Sequence, residues 1–450
     1  MRVLIAGMGK SGIAAAGLAL EQGYSVMACD SSPLEALPPD VTTLTQSGLQ
    51  FHGETNSPSL LDRVDLLILS PGVPRSLPLV REAGVLGVPV IGELEFAFRH
   101  SRGRFAAVTG SNGKSTTTNL LGDLLGAHFG DVRVGGNLGT PLSDMLEGAG
   151  DGTWHVVEVS SFQLESVENF HPELALLLNV TPDHQDRYDS MKAYADAKGR
   201  IFLNQREGDT AVYSADSPDA NRMGSSADAR RMPFSVTRSL AAGGYLSGEN
   251  AVRRTAEGGE EILFSAGDMP LPGTHNLENA LAAALAARAA GVPVETIREA
   301  LGSFEGLPHR MELVAEGGGV RAYNDSKATN ADAVLKALSA FSSGVILLVG
   351  GRDKGADWSV LISEIRRCCT RVIAFGEAGP AAEEALAATG LVYRVDAMGE
   401  AVETAAASAR EGDTILLSPA CASFDEFRNF EERGDRFREA VRDRMRGGTP

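Results

Sequence analysis

The sequence predicts an α/β protein of three consecutive units, each built on a mostly parallel sheet. Three observations carry that prediction. Short apolar runs alternate with Ala- and Leu-rich stretches of helical length, the pattern of strands joined by crossover helices. Most of these runs end in loops bearing Gly, Ser, Asp or Lys, where open parallel sheets bind ligands. The chain has 450 residues, more than one ordinary core organises; about two to four domains is the expectation for that length.

Residues 1–93 read as β-α-β-α. A buried-strand run over 3–6 leads into Gly7-Met8-Gly9-Lys10-Ser11-Gly12, and an Ala-rich helix follows to Leu20. A second strand over 24–29 ends at Asp30. G-x-G-x-x-G with a downstream acid is the fingerprint of a Rossmann-like dinucleotide-binding unit, and alone it points to a nicotinamide-dependent enzyme. A third strand over 66–69 ends in Ser70-Pro71-Gly72-Val73-Pro74, a second loop of ligand-binding type. Glycines and Lys10 interrupt the apolar start of the chain, so it reads as strand and loop rather than as a signal peptide.

Residues 94–305 hold the stretch on which the chain turns, Thr109-Gly110-Ser111-Asn112-Gly113-Lys114-Ser115-Thr116. An apolar strand over 105–108 precedes it and a helix over 117–125 follows. Glycines let main-chain N–H groups close on phosphate oxygens, the lysine adds a mobile cation, and the serine hydroxyl can hold Mg²⁺. Val108 stands where the strict pattern has its first glycine, so this is a compact variant. Further strands over 132–134, 155–159 and 175–180 follow. The third of these four runs carries Glu158 near its end, the usual place of a Mg²⁺ carboxylate, and the last leads to Thr181-Pro182-Asp183-His184. Lys198 falls in a helix over 190–202 and by spacing is a lysine on a solvated face. Residues 209–270 read as a small β subsheet. Gly273-Thr274-His275-Asn276-Leu277-Glu278-Asn279 opens an Ala-rich helix to Ala290.

Residues 306–450 form the third unit, with strands over 321–323, 345–349, 372–375 and 414–417. Arg310 stands at its start, placed either to reach a nucleotide or to form an interdomain ion pair. Lys327 and Lys354 lie on strand-end loops and can meet an anion. Cys368-Cys369 reads as helix packing.

The net charge of −18 argues against nucleic acid or an anionic membrane as the main partner. No segment is long and apolar enough to span a bilayer. The four cysteines lack metal-ligand spacing and fit a reducing cytoplasm.

Several motifs together resemble the Mur ligases of peptidoglycan synthesis over essentially the whole chain. They are residues 110–116, Glu158-Val-Ser-Ser-Phe-Gln163, Asn179-Val-Thr-Pro-Asp-His184, Gly273-Thr-His-Asn-Leu-Glu-Asn279, Pro308-His-Arg310 and Asn324-Asp-Ser-Lys327. The most specific is Ser418-Pro-Ala-Cys-Ala-Ser-Phe-Asp-Glu-Phe427 with 429–434, which is similar to the D-glutamate-adding branch. The Asn-Pro-Arg motif of the diaminopimelate- or lysine-adding branch is absent from the sequence.

The resemblance implies three domains: a UDP-sugar-binding Rossmann-like domain over 1–93, a P-loop ATPase-like domain over 94–305 and a Rossmann-like amino-acid-binding domain over 306–450. It implies a cytoplasmic, monomeric ligase with ATP and two Mg²⁺ ions, acting on UDP-N-acetylmuramoyl-L-alanine and D-glutamate. Gly110, Ser111, Asn112, Gly113, Lys114, Ser115, Thr116, Asn276, Asn279, Arg310 and Asp325 are implied for ATP. Ser115 and Glu158 are implied for one ion, His184 and a carbamylated Lys198 for the other, and Lys327 joins Lys114, Glu158, His184 and Lys198 as catalytic. Ser11, Ser31, Ser70, Gly72, Asn137 and His184 would meet the UDP-sugar, and Thr329, Lys354, Ser423 and Phe430 the D-glutamate. Ser32 stands where some relatives carry an arginine.

Three other readings remain at this point, one of them a P-loop regulator with no catalysis, which would not need the loops of the third unit. A folylpolyglutamate synthase-like ligase would share the ATP core but lack the unit before the phosphate loop. A nicotinamide-dependent oxidoreductase would leave Lys114, Glu158 and His184 without a role.

Overall fold

The computed structural model describes residues 1–137, 139–183, 187–270, 273–304, 306–352, 355 and 357–446. The described chain packs as two compact units, 1–268 with 278–302, and 269–277 with 303–450.

The first unit carries two sheets. The first holds β1 (Arg2–Ala6), β2 (Ser25–Cys29), β3 (Gln50–His52), β4 (Leu66–Leu69) and β5 (Val90–Gly92) in the order β3-β2-β1-β4-β5, all parallel. Both faces are covered, so its strands are apolar at consecutive positions rather than at alternate ones. Val3 and Ile5 enter one apolar cluster while Leu4 and Ala6 enter another. The cluster that takes Val3 and Ile5 also takes Phe105, Ala107 and Val157, so the two sheets share a core.

The second sheet holds β6 (Arg104–Thr109), β7 (Val132–Gly136), β8 (Trp154–Glu158), β9 (Leu174–Leu177), β10 (Thr210–Ser214), β11 (Arg230–Ser235), β12 (Gly243–Ser247), β13 (Asn250–Arg254) and β14 (Glu260–Ser265). Its order is β14-β13-β12-β11-β10-β9-β6-β8-β7. The run from β7 to β12 is parallel, and β12, β13 and β14 pair antiparallel. The small β subsheet expected over 209–270 is therefore continuous with the sheet that bears the phosphate loop. The chain builds β7 and β8 on one side of β6 and then crosses to β9 on the other. The ends of β8 and β9 thus flank the end of β6, at the kind of switch point where parallel sheets bind ligands.

The second unit is a six-stranded sheet of β15 (Glu312–Gly317), β16 (Val320–Asn324), β17 (Val345–Gly350), β18 (Cys369–Phe375), β19 (Val392–Arg394) and β20 (Thr414–Ala420), in the order β15-β16-β20-β17-β18-β19. Only the edge strand β15 runs antiparallel to its neighbour. Separate apolar clusters cover its two faces. Cys368 ends the helix Ile362–Cys368 and Cys369 begins β18, so the cysteine pair lies at a helix–strand junction and not within a helix. All four cysteines are buried free thiols. Among the described residues no helix is long and apolar enough to cross a membrane.

Candidate active site

The phosphate loop leaves β6 at Thr109 and enters the helix Lys114–Phe129 at Gly113. Gly113 has φ of +85°, and a Cβ there would lie 2.3 Å from Asn279 Oδ1, so both its backbone and its neighbour require glycine. Asn279 also meets Thr117, with 3.3 Å between Oδ1 and Oγ1. The Lys114 ammonium folds back over its own loop and donates to Gly110 O and Ser111 O, each at 2.9 Å. Ser115 and Thr116 are buried in the first turn of the helix.

Glu158 ends β8 and is 2% exposed. Its Oε2 accepts from Ser115 Oγ at 2.5 Å and its Oε1 from Asn137 Nδ2 at 2.9 Å, while the Asn137 N–H donates to Glu158 O at 2.8 Å. On the other flank, Asn179 braces the loop. Its Oδ1 accepts from the Asn112 N–H at 2.9 Å and its Nδ2 donates to Asn112 O at 3.1 Å. Ser111 Oγ donates to Thr181 O at 3.0 Å and lies 3.2 Å from the Tyr194 hydroxyl.

Lys198 is not on a solvated face. It is 2% exposed, its Nζ donates to Gly110 O at 2.8 Å, and it lies 4.5 Å from the centre of the Tyr194 ring. Burial, reinforced by the Lys114 charge, pushes its ammonium well below the ordinary lysine range; Asp183 and Glu158 oppose the shift. Helical spacing could not reveal this, because the helix Met191–Gly199 lays Lys198 against a loop some ninety residues earlier. Ser115 and Glu158 supply a hydroxyl and a carboxylate beside the phosphate loop, hard oxygen donors of the kind that suit Mg²⁺. His184 lies outside the described residues.

The glycine loop after β1 is arranged differently. A Cβ at Gly12 would lie 1.9 Å from Gly7 O and 2.7 Å from Ser70 Oγ. Ser70 Oγ donates to Gly7 O at 2.7 Å. Asp30 accepts from the Met8 N–H at 2.7 Å and the Ser32 N–H at 2.9 Å, so its carboxylate fastens the loop to the end of β2. Ser11 is half-buried in the first turn of the helix Lys10–Glu21, while Ser31, Gly72 and Asn137 are exposed.

In the second unit Arg310 sits between two non-glycine residues in the left-handed region, His309 at φ +62° and Met311 at φ +45°. Such geometry persists only where the surroundings hold it. His309 is tied by its N–H to Glu312 Oε2 at 2.8 Å, by its carbonyl to the Lys327 N–H at 3.2 Å and by its ring to Asn324 Nδ2 at 3.0 Å. Asp325 follows β16 and accepts from Ser418 Oγ at 2.9 Å and the Met311 N–H at 3.3 Å. Burial raises its carboxyl to about 7, against the lowering pull of Ser418 and Arg310. The Lys327 ammonium lies 5.0 Å from the centre of the Phe430 ring. Ser423 is buried and Thr329 half-buried, each on a strand-end loop. Lys354 lies outside the described residues.

The helix Thr274–Ala290 carries both asparagines of the Gly-x-His-Asn motif. Asn279 belongs to the first unit, as above, and Asn276, 5% exposed, to the second. Sequence reasoning missed the site roles of Asn179, Tyr194, His309 and Ser418. Asn179, His309 and Ser418 lay inside quoted motifs; Tyr194 carried no signal of its own.

Three family descriptions match the chain: a Mur ligase MurD-like N-terminal domain over residues 1–92, a Mur ligase middle domain over 108–287 and a Mur ligase glutamate ligase domain over 309–421. A protein of Acidobacterium capsulatum named UDP-N-acetylmuramoylalanine--D-glutamate ligase is 42% identical over 444 residues, covering 98% of this chain and 96% of that one. A protein of the same name from Koribacter versatilis is 42% identical, with 98% and 97% covered. The solved structure of the MurF ligase of Thermotoga maritima in complex with ADP shares the fold, with a TM-score of 0.62 at 17% identity over 93% of this chain and 95% of that one. With the phosphate loop, its acidic neighbour and all three domain types in one chain, this protein belongs to the Mur ligase family.

Proposed function

We propose that this chain is an ATP-dependent ligase that joins D-glutamate to UDP-N-acetylmuramoyl-L-alanine through an acyl phosphate, in the synthesis of peptidoglycan precursors. The observation that carries the reading is the cluster of Lys114, Ser115, Glu158 and Lys198 at the switch point of the second sheet. The near-complete coverage of relatives that bear the D-glutamate ligase name supports it. We read 1–93 as the UDP-sugar domain, 94–305 as the ATP domain and 306–450 as the amino-acid domain.

In this reading the ATP phosphates lie at the N-terminus of the helix Lys114–Phe129, facing the N–H groups of 110–116. Lys114 exchanges the carbonyls of Gly110 and Ser111 for phosphate oxygens. Asn276, Asn279, Arg310 and Asp325 serve the nucleotide. Ser115 and Glu158 would hold one Mg²⁺, and the resemblance assigns His184 and a carbamylated Lys198 to a second. Mg²⁺, when bound, offsets the charge that gathers on the transferred phosphoryl group.

A carboxylate oxygen of the L-alanyl group attacks the γ-phosphorus and ADP departs. The D-glutamate amine then attacks the acyl carbon, phosphate departs, and the amine proton is lost as the amide forms. Ser11, Ser31, Ser70, Gly72, Asn137 and His184 orient the UDP-sugar. Thr329, Lys354, Ser423 and Phe430 orient D-glutamate, and the resemblance makes Lys327 catalytic.

Phosphate release from ATP, with the UDP-sugar acceptor and a panel of amino acids, tests the reading. Release is expected with D-glutamate and at most weakly with L-glutamate or neutral amino acids. Release with another amino acid in preference, or without the acceptor, contradicts it.

A further inference from the structure

Arg433 is among the largest fully buried side chains of the molecule, with no exposed surface. It lies in the first turn of the helix Phe430–Arg446, and its guanidinium reaches three strand-end loops. After β16, Nε donates to Ser326 Oγ at 3.0 Å and Nη2 to Ser326 O at 2.7 Å. After β20, Nη2 donates to Cys421 O at 3.0 Å and Nη1 to Ala422 O at 3.2 Å. After β17, Nη1 packs on Gly351, where a Cβ would lie 2.9 Å from it. The sheet order β16-β20-β17 makes these three strand ends neighbours. Ser326 Oγ donates onward to Phe430 O at 2.8 Å, so the clamp closes on the start of its own helix.

Each of these bonds goes to a neutral oxygen. Among the described residues no carboxylate forms an ion pair with Arg433. Asp425 and Glu426 are the acids whose charge reaches it, and both accept main-chain N–H groups elsewhere: Asp425 from Glu377 at 3.1 Å, Glu426 from Met398 at 3.2 Å. A guanidinium keeps its proton in such a setting. Burying a guanidinium that no carboxylate pairs with directly opposes folding. The loops after β16 and β20 carry Thr329 and Ser423, and Phe430 opens the helix that bears Arg433; all three are read above as facing the amino acid.

We propose that Arg433 is a positioning residue for the amino-acid substrate: it holds the loops after β16, β17 and β20 in one register and lends its charge to a dicarboxylate bound on them. The proposal rests on the ligase reading. Lysine preserves the charge but lacks the planar fork that reaches three loops at once, and methionine lacks both.

The test measures kcat and the KM of each substrate for the full-length wild type, Arg433→Lys and Arg433→Met. In Arg433→Lys the KM for D-glutamate should rise by about tenfold or more, with the KM for ATP and for the UDP-sugar within about twofold. In Arg433→Met the preference for D-glutamate over the neutral D-glutamine should also shrink. A purely structural clamp would lower kcat or shift all three KM values together, and that result overturns the proposal.

Ser326→Ala covers the case in which the Arg433 variants do not fold, since it removes one acceptor and leaves the guanidinium in place. Its KM for D-glutamate alone should rise; an unchanged value overturns the proposal. A wild-type enzyme that does not consume D-glutamate overturns the ligase reading first, and the role of Arg433 with it.

Discussion

Two loops of this chain look alike as sequence and differ as chemistry. Gly7–Gly12 and Gly110–Gly113 each follow a buried parallel strand and each lead into a helix. At the first loop the neighbouring strand ends contribute Asp30 and Ser70, and both bind the loop's own main chain. At the second they contribute Glu158 and, beyond β9, Asn179; Lys198 comes in from a later helix. The second loop brings two lysine side chains onto one carbonyl, Gly110 O, and sets a carboxylate, Glu158, against the hydroxyl of Ser115 at the start of its helix. Glycine spacing therefore specifies a tight turn, and the residues on the flanking strand ends specify what the turn can hold.

The largest effect expected from this comparison is on the two loop lysines. Lys114→Ala should lower kcat by about 10³-fold, because the phosphoryl group loses a preorganised cation. Lys10→Ala, at the corresponding helix start and exposed, should leave kcat within about twofold of wild type. Steady-state phosphate release reads both, and equal effects would erase the distinction between the loops.

Lys198 sharpens the same comparison. Lys198→Ala should be inactive whether the native group is an anionic carbamate or a plain ammonium. Formate or acetate should restore activity if an anion is missing, because a divalent ion needs oxygen ligands and a free lysine offers none. Restoration by small amines, with none by acids, would leave Lys198 a simple cation.

Much of this arrangement was legible in advance, for a physical reason. Strands buried on both faces are apolar at consecutive positions, so the runs over 66–69, 105–108 and 345–349 announced β4, β6 and β17 to within a residue at each end. The short strands β3, β5 and β19, three residues each, left no such run. β20 continues three residues beyond 414–417, through Ser418-Pro419-Ala420. Its polar Ser418 is buried there to serve Asp325, which overrides the pattern. Glu158 was legible because position at a strand end is a local property. The burial of Lys198 and Arg433 was not, because each is fixed by partners far away in the chain.

The first loop offers a smaller, structural contrast. Gly12→Ala should cost about 2–3 kcal/mol, since its Cβ would enter Gly7 O and no flexible side chain can yield. Gly9→Ala should cost no more than about 1 kcal/mol, since nothing lies within 4 Å of its Cβ and its φ is −76°. The midpoint of the first urea transition compares them; equal losses would mean that the loop is not closely packed.

A further contrast concerns a buried acid of the second unit and is read as a pH slope rather than as a loss of activity. Asp325 has its folded carboxyl raised to about 7 from 3.8. Between those values the unfolded chain has released this proton and the folded chain retains it, so the group's contribution to stability falls as pH rises from about 4 to about 7 and is flat above. In Asp325→Asn that slope should vanish, a relative change of a few kcal/mol at most across the window. Parallel stability profiles for the two proteins would show that Asp325 is already ionised in the folded state.

The contrast between the loops is tested most directly by calorimetric titration of the wild-type protein with UDP-N-acetylmuramoyl-L-alanine and, separately, with NAD. The account predicts saturable binding of the UDP-sugar and none of NAD, despite the G-x-G-x-x-G and Asp30. Micromolar binding of NAD with no binding of the UDP-sugar would contradict it.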